Sequence, residues 1–148
     1  MTKLNSRTRA RRLALQGLYE WQMSDNRIRD IEAHFLIEKD TKNVDLPLFR
    51  ELLINVAGQA DELDGYIAEF LDRPVEEIDP VELAVMRLGA YELAKRPQVP
   101  YRVVINEAVE LAKTFGAEAG HKYVNGVMDK LAARLRQPEV AAHSKGRS

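Results

Sequence analysis

Apolar residues recur at intervals of three and four along nearly the whole chain, and no stretch alternates strictly between apolar and polar side chains. The first spacing lines one face of a helix and the second is what a half-buried strand needs, so an all-α fold is expected. Prolines and single glycines cut the pattern into about seven helices in two small packed bundles. The first helix, 7–23, carries the stripe Ala10, Leu13, Ala14, Gly17, Leu18 and Trp21, with Ser6 as its N-cap. The second, 26–38, uses Ile28, Ile31 and Phe35. After a polar loop, Asp45 and Pro47 start a long third helix running to Arg73.

Arg73-Pro74 ends that helix, because the residue before a proline is pushed out of the α region. Asp79, Pro80 and Glu82 then form a variant capping box. The helix they open is apolar on two sides, which makes it the central element. Helices over 101–115, stopped by Gly116, and 120–136 complete the set. The expected organisation is an N-terminal bundle over 7–72, a C-terminal bundle over 79–136 and a flexible tail over 137–148.

The formal net charge of −1 conceals a strong polarity. Residues 1–12 hold five bases (Lys3, Arg7, Arg9, Arg11, Arg12) and no acid, and residues 134–148 hold four bases against Glu139. The body between them carries −9, an asymmetry suited to meeting a polyanion at one place and a cationic surface at another.

Several classes of chemistry are excluded or unsupported. The absence of cysteine removes disulfides, thiolate metal sites and a cysteine nucleophile, and 148 residues bury enough surface to fold without such staples. None of His34, His121 and His143 has a second histidine at metal-ligand spacing, so neither a metal nor a cofactor is expected. Glu107 and Glu110 lie on a polar helix face, where solvation explains them better than acid–base work. There is no glycine-rich phosphate loop and no nucleophile motif. A non-enzymatic protein is expected, and with neither a signal peptide nor a long apolar run, a cytoplasmic one without membrane contact.

The polar side of the first helix is more informative. Arg9, Arg12, Gln16 and Tyr19 fall within a sector of about 80°, with Arg11 on a flank. Guanidinium groups, an amide and an aromatic ring are what a single-stranded nucleic acid requires for phosphates, base edges and stacking. An ordinary solvated face edged by a tyrosine accounts for the pattern as well. On the last helix Tyr123, beside Lys122, reads either as a second stacking platform or as a boundary residue with a buried ring and a wet hydroxyl.

Val99 to Gly116 (VPYRVVINEAVELAKTFG) and His121 to Lys130 (HKYVNGVMDK) closely resemble the NusB family of transcription antitermination factors. Arg11 through Tyr19 with Trp21, and Phe49 to Leu53 (FRELL), do so too, and the resemblance spans about residues 7–135. It implies two helical bundles that bind single-stranded boxA RNA of nascent ribosomal transcripts together with NusE, a small-subunit ribosomal protein, within the RNA polymerase antitermination complex. Lys3, Arg7, Arg9, Arg11, Arg12, Gln16, Tyr19, Lys122 and Tyr123 become the expected RNA contacts. Glu82 becomes the expected partner contact, with helix capping as its rival role. At Tyr123 the family commonly has phenylalanine, and near Ala119 often an acid. Rival functions are an accessory module of RNA modification machinery, as in bundles fused to methyltransferases for which this length leaves no room, and a structural homodimer.

Overall fold

The structure, a computed structural model, describes residues 4–146. The elements are α1 (Ser6–Met23), α2 (Ile28–Glu38), α3 (Leu46–Gly58), α4 (Ala60–Ala68), α5 (Pro80–Lys95), α6 (Tyr101–Phe115), α7 (Gly120–Leu135) and α8 (Gln137–Gly146), with a single 3-10 turn at Val75–Glu77. No strand occurs among the described residues, as the periodicity requires. The chain forms two compact units, one ending at Ala60 and the other starting at Asp61.

In the first unit α1 packs on α3 and α2, and α2 packs on α3. Its centre is the stacked pair Phe35 and Phe49, with ring centroids 6.4 Å apart, surrounded by Leu18, Ile31, Leu52 and Leu53. Gly17 lets α1 approach α3 closely, since a Cβ there would lie 2.7 Å from Leu53 Cδ1. The N-cap of α1 is Asn5 rather than Ser6: its Oδ1 accepts from the Thr8 N–H at 2.7 Å. Asp45 caps α3 as expected, accepting from the Leu48 N–H at 3.1 Å, while its own N–H donates to Ser6 O.

The long third helix expected over 46–73 is broken. α3 ends at Gly58, Gln59 leaves the helical region at φ −114°, and α4 begins at Ala60. Glycine is a poor helix former, and nothing lies within 4 Å of where its Cβ would be, so neither propensity nor packing holds the helix together there. The apolar stripe Leu63 and Ile67 continues buried beyond the break, which is why periodicity alone reads through it. α4 belongs to the second unit: Asp64 takes a bidentate pair from Arg87 of α5 at 2.8 and 2.7 Å, and Glu62 pairs with Lys95. The division between units therefore falls earlier than 73–79.

In the second unit α5 packs against α6 and α7, which pack against each other. Ten of its residues are buried, from Leu83 to Leu93, in keeping with its two apolar sides. Gly116 does end α6, but in extended backbone; the left-handed residue nearby is Ala119, at φ 75°. Residues 137–146 form a helix rather than the flexible tail expected. The segment's own polarity gives no sign of its two anchors, Arg136 and Glu139, which tie it to α5 and α6.

Candidate nucleic-acid and partner surfaces

On α1 the helical geometry does what the sequence implies for four residues. Arg9, Arg12 and Gln16 are half-buried and Tyr19 is 39% exposed, along the side of α1 away from the buried Ala10, Ala14 and Gly17. Arg9 folds one nitrogen back, Nε donating to Leu4 O at 3.3 Å, and Gln16 Nε2 donates to Arg12 O at 3.2 Å. These contacts hold the stems on the helix. Arg7 is exposed at the first turn, whereas Arg11 is only 4% exposed and its guanidinium belongs to the interior. The flank it shares with Leu15 is a buried flank, so Arg11 departs from the expected surface set. Lys3 lies outside the described residues.

Lys122 is exposed on α7 and Tyr123 is half-buried. The Tyr123 hydroxyl is not simply wet: it donates to Asp72 Oδ1 at 3.0 Å and accepts from the Asp72 N–H at 3.2 Å. Asp72 in turn takes a bidentate pair from Arg73, at 2.8 and 3.0 Å, and the Arg73 guanidinium lies 5.6 Å from the Tyr123 ring centroid. These hydrogen bonds, Arg73 first and Tyr123 second, hold the Asp72 carboxyl below its usual range. Burial pushes the Tyr123 phenol up. Asp72 and Arg73 escape sequence reasoning because Asp72 lies 51 residues from Tyr123, with Arg73 next to it, in a segment whose only legible signal is the Arg73-Pro74 helix stop.

Glu82 stands in the first turn of α5, where Asp79 does the capping: its Oδ1 accepts from the N–H groups of Val81 at 3.0 Å and Glu82 at 3.1 Å. No hydrogen bond to the Glu82 carboxylate occurs among the described residues, so the reciprocal half of the capping box is not made. The carboxylate leans over the start of α7, close enough that a Cβ on Gly120 would lie 2.8 Å from Oε2. Burial, and then the Asp79 charge, push its pKa up. The Arg73 charge opposes this and partly offsets it.

No group of three or more potential metal ligands clusters among the described residues, and no described helix is long and apolar enough to cross a membrane. The model of the NusB family matches residues 8–133. The transcription antitermination protein NusB of Shewanella halifaxensis is 56% identical over 134 residues, 90% of this chain and 99% of its own length. That of Pseudomonas savastanoi pv. phaseolicola is 53% identical over 143 residues, 97% of this chain and 87% of its own. Among solved structures, T. maritima NusB superposes with a TM-score of 0.74 at 26% identity, covering 89% of this chain and 92% of that one. A complex of antitermination factors NusB and NusE with double-stranded RNA matches with a TM-score of 0.71 at 22% identity, covering 86% of this chain and 96% of that one, which speaks to the fold. On a family match across residues 8–133 and relatives more than half identical over most of both chains, the chain belongs to the NusB family.

Proposed function

We propose that the chain is a non-enzymatic, cytoplasmic adaptor of transcription antitermination that holds boxA RNA of nascent ribosomal transcripts together with the ribosomal protein NusE. One observation carries it: Arg9, Arg12, Gln16 and Tyr19 share one partly exposed face of α1, with the exposed Arg7 at its first turn. Cations hold phosphates, the amide reads a base edge and the ring stacks an unpaired base, a set matched to single-stranded RNA. Tyr123 on α7, with Lys122 beside it, supplies a second ring and cation. The relatives that share more than half of the sequence carry the antitermination name, and the fold is similar to that of a NusB found in a complex with NusE and double-stranded RNA.

NusE docks through the acidic body, with Glu82 as the contact residue. Its carboxylate is partly desolvated and accepts no hydrogen bond among the described residues, so it is open to a basic side chain of the partner. RNA polymerase is engaged through that assembly. RNA affinity of the chain alone is modest and salt-sensitive, and the partner completes specificity.

Ultraviolet crosslinking of a short single-stranded boxA RNA to the chain, with and without NusE, tests the assignment. Adducts are expected at Tyr19 and Tyr123, strengthened by NusE and absent with a duplex of the same sequence. Adducts confined to other faces, or a chain that self-associates and never takes up NusE, would overturn it in favour of a structural dimer.

A further inference from the structure

The segment joining α4 to α5 carries Asp72 and Arg73, neither of which follows from the chain's helical pattern. Their contacts converge on one residue. Asp72 grips the Tyr123 hydroxyl twice, through its carboxylate at 3.0 Å and its backbone N–H at 3.2 Å. The same carboxylate holds Arg73 by both Nε and a terminal nitrogen, and the guanidinium lies over the Tyr123 ring, 5.6 Å from its centroid. A guanidinium at that distance occupies the ring face by cation–π attraction, where an unstacked base would also sit.

From this geometry we infer that Asp72 is a positioning residue that keeps the Tyr123 platform covered: it holds Arg73 over the ring until a base displaces the guanidinium and frees it for the RNA backbone. The inference rests on Tyr123 stacking a base, as assigned above. The Asp72 carboxylate holds the hydroxyl of the ring and the charge of the cover together, while its backbone N–H is a second hold on the hydroxyl that does not involve the side chain. A phenylalanine ring at this position would have no hydroxyl for Asp72 to hold. The hydroxyl of Tyr123 is therefore what couples ring and cover in this chain. Displacement is cheap, because the Arg73 and Asp72 side chains are 50% and 58% exposed and exposed pairs are weak.

The test is a double-mutant cycle of Asp72→Ala and Tyr123→Ala, read as affinity of the full chain with NusE for single-stranded boxA RNA. Tyr123→Ala weakens binding. Asp72→Ala tightens it about two- to fivefold, the range that release of an exposed pair provides, and the gain disappears in the Tyr123→Ala background. An Asp72→Ala gain that persists undiminished without the ring is plain charge relief, and overturns the inference while leaving the stacking role intact. So does an Asp72→Ala variant that binds no better than the unaltered chain. Unchanged binding by Tyr123→Ala removes the platform itself and the inference with it. In the unaltered chain, the Arg73 Hε resonance should move on RNA addition as the guanidinium leaves the ring current; a resonance that stays fixed at saturation contradicts displacement.

Discussion

Arg136 and Glu139 share a 2.7 Å ion pair that joins the end of one helix to the start of another. The Arg136 guanidinium is buried and donates to Leu93 O at 2.7 Å, Glu92 O at 3.2 Å and Arg96 O at 2.9 Å, satisfying carbonyls at the C-terminus of α5. The second Glu139 oxygen accepts from the Tyr101 N–H at 2.9 Å, at the first residue of α6. Arg136→Ala leaves the Leu93 carbonyl without a donor, while the Glu92 and Arg96 carbonyls keep the N–H groups of Arg96 and Val99, and is expected to cost about 2 kcal/mol. Denaturant unfolding checks this, together with a loss of the helical signal of α8.

The Glu139 carboxyl is held below its usual range, by the Tyr101 N–H first and by Arg136 after the opposing cost of burial. A lowered folded pKa adds stability that is complete above the unfolded value near 4.5 and vanishes as pH falls through the folded value. Glu139→Gln should therefore flatten the acid limb of the stability curve, measured by thermal melts from neutral pH downward. An unchanged acid limb would place the titration elsewhere.

Glu82 has the opposite sign. Its raised pKa means that protonation competes with a cationic partner at a higher pH than for an ordinary glutamate, so binding takes a proton off only as the pH approaches that raised value. Affinity for NusE is expected to fall as pH drops toward the raised pKa, above the ordinary 4.5, and Glu82→Gln should both weaken binding and remove that dependence. Calorimetry in buffers of different ionisation enthalpy, run from neutral pH downward, measures the proton released on binding as it grows toward acid pH.

Arg11 and Arg7 separate two roles within one basic segment. Arg11 is buried, so Arg11→Ala should lower stability by more than 1 kcal/mol on the order expected for a buried polar contact, with RNA affinity following only through folding. Arg7→Ala at an exposed site should leave stability within about 0.5 kcal/mol and weaken RNA binding. Paired melting and binding curves on the two variants decide between them.

The sequence resolves what depends on local pattern. Helix type, the cap at Asp45, the buried stripe from Phe49 to Ile67 and the shared side of Arg9, Arg12, Gln16 and Tyr19 all follow from residues within a few turns of each other. What it does not resolve depends on distant partners. The break at Gln59 leaves the apolar period intact, α8 is anchored by carbonyls 40 or more residues away, and Arg11 is a basic residue on a buried flank. Asp72 and Arg73 acquire their role only when folding brings them to Tyr123.

The salt dependence of boxA RNA binding by the chain with NusE tests the proposed role of α1 most directly, because counterion release counts the phosphates neutralised. Against the unaltered chain, replacing Arg7, Arg9 and Arg12 together by alanine should weaken binding and reduce the slope of log K against log salt by about 2, at roughly 0.7 per single-strand phosphate contact. An unchanged slope and affinity in the triple variant would show that the RNA lies elsewhere.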